Sequence, residues 1–410
     1  MNGAILVLGL AALSALIAGV RALARRRLAS AGGELEMLSD RRGTRFAGRY
    51  AGFAALIAAL GAGAVVSAVS AGALQPLVAA LLAASFAGGW ALFSIGPGVD
   101  LRRRYEVLVI SVLGFIAGIA VLTTLGIFAT LIFETLQFFQ KSSALDFFFG
   151  TEWSPQTAIR KDQVASEGAF GVAPLIAGTL LVSLIAMAVA GPVGVMSAVF
   201  INTYANARAR TVMKLTLELL AGVPTVVYGF FALLFVGPFV RDGAAAIGAL
   251  FGAEIDAPAQ NALAAGLVTG VMIIPFVSSL SEDVMSAIPR TLPEGAAALG
   301  ATKAETVLKV VLPAAAPGLI GAFLLAVSRA VGETMIVVMA ASRSANLTFD
   351  PLERVTTITV QIVALLTGDQ EFTSAKTLAA FALGLTLFLI TLALNVIALL
   401  SVKRFRIRYE

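Results

Sequence analysis

Arg329 and Glu333 stand one helical turn apart in the segment SRAVGETMIV, Ser328 to Val337, inside a long apolar stretch, Pro317 to Ala341. At i and i+4 on a helix two side chains share a face and can pair. A mid-bilayer Arg costs roughly 2.5–3.5 kcal/mol on insertion scales, and pairing lowers that cost without abolishing it. The flanking runs GAFLLAV and MIVVMA keep Arg329 from snorkelling to either helix end. This face must therefore point into a bundle or a watery path, and Gly332 lets another helix come close beside it. One reading is a structural ion pair that locks two helices. The chemical reading is an anion site, because a guanidinium matches the oxygens of phosphate or sulfate with forked hydrogen bonds. Glu333 then holds Arg329 while the path is empty, and a half-neutralised Arg releases its anion more readily.

The elements that position this pair are membrane helices. The chain of 410 residues is 59% hydrophobic and 13% charged, whereas soluble domains carry roughly 25% charged residues. With no Cys and no His, it has no disulfides, thiolates, imidazole bases or commonest zinc ligands. A redox or zinc enzyme is not expected, and few intramembrane carboxylates remain for any other membrane-embedded enzyme. The net charge of +5 does not signal nucleic acid, because the basic residues lie between apolar runs.

A bilayer needs about 20 apolar residues per helix. Nine spans are expected, near Gly3–Val20, Tyr50–Ser70, Leu74–Ile95, Val107–Leu136, Val172–Phe200, Leu219–Val240, Asn261–Leu280, Pro317–Ala341 and Thr377–Val402. The second and third could form one hairpin unit. With the N-terminus outside, the outer segments hold Lys141, Arg160, Lys161, Arg241, Arg343, Arg354 and Lys376. All other Lys and Arg except Arg329 fall inside, a bias of about three to one. The C-terminus is then cytoplasmic. Positive charge follows the first apolar run instead of preceding it, which fits an uncleaved, reverse-oriented anchor better than a signal peptide. Two outer loops are long, 137–171 and 342–376; the second contains PLERVTTITVQIVALLTG, which could form a half-buried helix. They read either as lids or as docking surfaces. Glu134, Gln137, Glu218, Glu282 and Asp283 sit near span ends and read as ordinary interface polar groups, with Gly222 to Pro224 marking a helix end and kink.

The inner segment PEGAAALGATKAETVLKVVLPAAAPG has clear local physics. Pro293 can open a helix, and Glu294 sits near the positive end of its dipole. Gly300 offers a break, helical spacing resumes, and Pro313 is expected to stop it. A short helix, a bend and a second short helix would face the cytoplasm, a knob suited to a partner's groove. The segment resembles the EAA loop of type I ABC importer permeases. Glu294, Ala296, Gly300, Leu312 and Pro313 fall on its marks, while Gly295 replaces an Ala and Val310 an Ile. The resemblance implies a coupling helix that fits a cleft on a cytoplasmic ATPase. No phosphate loop of the Gly-x-x-x-x-Gly-Lys-Ser/Thr type occurs here, so ATP and Mg would be held by a separate partner chain, and this chain would bind no cofactor.

SRAVGETMIVVMAA, EWSP, EGAFGVAPLIAGTLLVSLIAMAVAGPVGVMSAVFINTYA and LLAGVPTVVYGFFAL together resemble the phosphate-specific ABC permeases, and the residues after Thr334 look like the PstC-type subunit. The resemblance runs from about Val107 to the C-terminus. It implies a second, PstA-type permease, two cytoplasmic ATPase subunits and an extracytoplasmic phosphate-binding protein. It also implies that Arg329 and Glu333 line the anion path. The expectation is an all-α, multi-pass protein of the bacterial inner membrane. Its permease core, residues 101–410, has six helices and a coupling loop at 290–315. Residues 1–100 would add three spans and a basic cytoplasmic loop, RALARRRLASAGGELEMLSDRRGTRFAGR, as a topogenic anchor or a module that touches anionic lipid. Rivals are the same machine carrying sulfate, molybdate or phosphonate, and an ion-driven secondary transporter. The latter predicts matching broken helices in inverted halves, a pattern not evident here.

Overall fold

The computed structural model of the chain describes residues 101–155, 168–255, 257–367 and 374–405. The expected spans Gly3–Val20, Tyr50–Ser70 and Leu74–Ile95, with the basic segment between them, lie outside the described residues. The chain divides into two compact units, Met1–Gly126 and Ile127–Glu410. In the first, the described part is the opening of α1 (Leu101–Lys141), where Ile110, Phe115 and Leu122 are exposed, as apolar side chains facing lipid are.

Among the described residues six helices are long and apolar enough to cross a membrane: Glu106–Lys141, Ala173–Tyr204, Thr225–Leu250, Ala262–Ser286, Lys303–Val331 and Ala375–Val402. The remaining elements are short. They are α2 (Ala144–Phe149), the two-residue strands β1 (Trp153–Ser154) and β2 (Ala169–Phe170) paired antiparallel, and the connecting helices introduced below.

The second unit is centred on α3 (Ala173–Val199) and α7 (Ala262–Ser286), with α4 (Ala207–Gly222), α5 (Thr225–Phe231) and α6 (Gly237–Leu250) between them in sequence. Small residues let α3 and α7 approach closely. A Cβ on Gly266 would lie 2.6 Å from Ile185, one on Gly270 2.8 Å from the Ala186 carbonyl, and one on Gly194 2.7 Å from Val277. The partner positions rise together along both helices, so the two run parallel. Val182, Ala186, Ala190, Val268, Met272, Ile273 and Val277 form the core there, joined by Ala326 and Ala330 of α10 (Leu312–Val331).

At one end of this pair the two long loops pack together. Phe138, Phe147, Trp153 and Phe170 form an edge-to-face cluster with centroids 5.4–6.0 Å apart, a favoured ring geometry. The half-buried helix expected in the second loop is α12 (Ile358–Leu366), with Ile358, Val360 and Leu365 buried. Gln361 joins the loops: Trp153 Nε1 donates to its Oε1 at 3.1 Å, and its Nε2 donates to the Arg343 carbonyl at 3.0 Å. α13 (Ala375–Phe405) completes this end through Leu378 and Leu383. At the opposite end, Ala198, Met285, Val311, Ala315 and Leu319 make a separate cluster.

Three expected boundaries move, each for a backbone reason. The span expected at Leu219–Val240 runs from Thr225 to Leu250. Val223, which precedes Pro224, is extended at ψ 129°, so α4 ends there and a new helix begins. The helix expected to stop at Pro313 does not stop. A π turn, Val307–Val311, widens the backbone just before α10, and the Leu312 N–H reaches back to the Val307 carbonyl. The wider turn relieves the clash a proline ring makes with the carbonyl four residues earlier. The third change falls at the expected Pro317–Ala341 span. It ends at Val331, and a short helix α11 (Met335–Ala340) follows after a break at Gly332 to Thr334.

Candidate functional site

Arg329 sits in the last turn of α10. Its Nη2 lies 3.9 Å from Met272 Sδ, and its guanidinium stands 5.4 Å from the centroid of the Phe276 ring. Both partners are on α7, one turn apart. A cation over an aromatic face is attracted by the ring quadrupole while its N–H groups stay free for other acceptors. Among the described residues no ion pair involves Arg329.

Glu333 is not its partner, contrary to the pairing expected from the i, i+4 spacing. The helix has already ended, so the two side chains no longer share a face. Glu333 Oε1 instead accepts from the Ile336 N–H at 3.3 Å and caps α11. Its carbonyl accepts from Thr359 Oγ1 at 2.9 Å, and Thr334 Oγ1 donates to the Gly332 carbonyl at 3.2 Å. Non-helical backbone within a membrane protein persists where protein groups satisfy it, and α12 supplies that group here. Gly332 admits no neighbouring helix. The nearest atoms to an added Cβ are the Ser328 and Arg329 carbonyls, so its role is to end α10.

Arg329 opens onto a cavity of ≈ 360 Å³ that Lys214, Glu218, Met272, Phe276, Glu282 and Asp283 also line. Pro275, inside α7, lines it too and removes the hydrogen bond that the Val271 carbonyl would accept. Glu282 is buried, and its Oε1 takes two cations of α4, Lys214 Nζ at 2.8 Å and Arg210 Nη2 at 3.0 Å. In sequence alone Glu218, Glu282 and Asp283 look like ordinary interface charges. One signal was available: Arg210 and Lys214 share a face of one helix, ready to meet a common acid.

The 290–315 segment lies at the other end of the helix that carries Arg329. α8 (Thr291–Ala298) opens two residues before Pro293, which stays in the first turn, where its missing N–H costs nothing. Glu294 is in that first turn, and Ala296 to Ala298 are strong helix formers. The Gly300 N–H bonds to the Ala297 carbonyl at 3.0 Å and the Ala301 N–H to the Ala296 carbonyl at 3.1 Å. This paired C-terminal closure needs a left-handed residue, and Gly300 has φ +86°. Thr302 and Glu305 then form a capping box that starts α9 (Lys303–Thr306). None of α8 is buried, and Leu299 is 91% exposed at the corner. From Lys303 the chain runs as one apolar helical span to Val331, through Leu312 and Pro313. The corner and Arg329 therefore lie at opposite ends of one rod, about 39 Å apart along its axis.

Residues 190–407 match the family described as binding-protein-dependent transport system inner membrane component. A probable ABC transporter permease protein, YqgH of Bacillus subtilis, is 30% identical over 308 residues, covering 74% of this chain and 92% of the relative. The phosphate transport system permease protein PstC of Xylella fastidiosa is 35% identical over 271 residues, covering 63% and 79%. Among solved structures, the inward-facing MetNI methionine ABC transporter aligns at TM-score 0.39 with 20% identity, over 56% of this chain and 94% of that one.

Proposed function

We infer the function from one premise: the chain belongs to the family of binding-protein-dependent transport system inner membrane components. It is a multi-pass permease subunit of an ABC importer in the inner membrane, a transport subunit that works in a complex with ATPase and binding-protein partners. The cargo is inorganic phosphate, a reading that the PstC relatives support. Arg329 fits that cargo, because among the described residues its N–H groups are free of carboxylates, and they open onto a polar cavity.

The observation that carries the mechanism is the unbroken helical run Lys303–Val331. Glu294, Ala296 and Gly300 shape an exposed corner that docks on the partner ATPase. Leu312 and Pro313 continue that corner into the rod ending at Arg329. ATP with Mg on that ATPase supplies the energy. Displacement of the corner tilts α10 against α7 and moves the guanidinium relative to Met272 and Phe276. Glu333 lies next to the path and fixes the bend at its outer end. A second, PstA-type permease would supply the opposing wall, since Arg329 is exposed in the single chain. The outer loops that Gln361 ties together would receive the phosphate-binding protein.

The test is uptake of labelled phosphate by proteoliposomes that hold the complete importer, with unlabelled phosphate, sulfate, molybdate or a phosphonate as competitor. Competition by phosphate alone is expected. Stronger competition by one of the others would reassign the cargo, and uptake that persists without ATP would remove the ABC mechanism.

A further inference from the structure

We propose that Lys214 and Arg210 form a second anion site in the path, between Arg329 and the cytoplasm, with the Glu282 carboxylate as the resident counter-anion that a departing phosphate displaces. This inference rests on the transport reading above. Arg210 and Lys214 lie at i and i+4 on α4 and converge on a single oxygen, Glu282 Oε1, at 3.0 and 2.8 Å. Two cations on one carboxylate leave the trio with a net positive charge, more than a helix-to-helix staple needs. Arg210 Nε is buried with no hydrogen-bond partner among the described residues, although 42% of the side chain is exposed, so Glu282 does not use up the donors of the guanidinium. Lys214 is 46% exposed on its side chain and keeps further N–H groups, while Glu282 is only 11% exposed.

Position makes Lys214 and Glu282 part of the path, and Arg210 reaches it through its ion pair with Glu282. Lys214, Glu282 and Arg329 line the same cavity. Arg329 stands level with Met272 and Phe276, and Glu282 lies six to ten residues further along the helix that carries them, about 9–15 Å along its axis. That spacing suits successive capture and not a simultaneous clamp, and conduction needs several weak sites instead of one tight one. Glu218 and Asp283 also line the cavity and oppose any long stay by an anion. When phosphate arrives at Lys214 it replaces Glu282 as acceptor. When Glu282 returns to its two cations, the phosphate is expelled toward the cytoplasm.

The experiment uses the complete importer and labelled inorganic phosphate, with retention measured on the purified complex and uptake in proteoliposomes. Glu282→Gln removes the counter-anion, so phosphate affinity should rise about tenfold, the order of one charge-assisted hydrogen bond, and turnover should slow. Adding Lys214→Met to Glu282→Gln should return retention to the native level. Unchanged retention in Glu282→Gln, or raised retention that survives Lys214→Met, overturns the proposal. A second variant, Lys214→Gln, leaves the Arg210–Glu282 pair in place and guards against a folding defect. Its uptake should fall severalfold and recover in Lys214→Arg; native uptake in Lys214→Gln also overturns the proposal. Native vesicles that accumulate no phosphate remove the transport reading and this inference together, whereas uptake with unchanged retention removes only the inference.

Discussion

Gly300→Val isolates the coupling corner, because the structure separates its backbone effect from any packing effect. Nothing lies within 4 Å of a Cβ added at Gly300, so the first side-chain atom meets open space. The φ of +86° is the dominant cost. A left-handed residue costs an L-amino acid roughly 1–2 kcal/mol, with a β-branched side chain at the upper end or beyond. At 1.4 kcal/mol per tenfold, the bent corner loses about 5- to 30-fold in population. If the ATPase docks only on the bent form, phosphate uptake falls by a similar factor while the subunit still inserts and assembles. The assay is uptake per ATP hydrolysed in proteoliposomes, with assembly checked by pull-down. Gly295→Ala is the matched control. It also meets open space, lies inside α8 without a positive φ, and should leave uptake unchanged or slightly raised through better helix propensity. Native coupling in Gly300→Val, or equal losses in both variants, would refute the assignment of the corner.

Gly270→Ala forces a Cβ to 2.8 Å from the Ala186 carbonyl, so α3 and α7 must part. The purified complex should lose about 1–3 kcal/mol of stability and melt several degrees lower, and an unchanged melting midpoint would contradict the close parallel packing. Gln361→Leu leaves Trp153 Nε1 buried without its acceptor, a cost of about 1–3 kcal/mol. External protease should then cut the outer loops faster, and native resistance would show that Gln361 does not hold them. A reporter fused after Glu410 should face the cytoplasm, and an exterior signal would reverse the orientation that the basic residues imply.

Much of the fold was readable because the relevant signals are local. Each of the last six expected spans meets a membrane-length helix among the described residues, although three boundaries move, and Pro224 marks a real break because proline constrains Val223 before it. Gly300 was readable for the same reason: only a residue free to take positive φ closes α8 in that way. Two errors share one cause. Pro313 was read as a stop and Arg329–Glu333 as a pair, because helix continuity was judged from composition. A π turn carries the chain through Pro313, and a side-chain cap from Glu333 with a distant hydroxyl, Thr359, lets the helix end at Gly332. Neither leaves a periodic trace. The Glu282 trio was hidden because Glu282 is more than sixty residues from Arg210 and Lys214, and only the packing of α4 on α7 brings them together.

The central claim is that Arg329, at the end of the rod driven from the coupling corner, holds the anion in transit. The most direct measurement is labelled phosphate uptake in cells that lack their own system, supplied with the whole complex carrying either Arg329 or Arg329→Gln. Assembly is checked by pull-down. Gln keeps a polar, hydrogen-bonding side chain but is shorter and carries no charge, and among the described residues Arg329 has no carboxylate partner that its removal would strand. The account predicts an assembled complex that takes up almost no phosphate. Native uptake in Arg329→Gln would contradict it and leave Arg329 as a packing residue against Phe276.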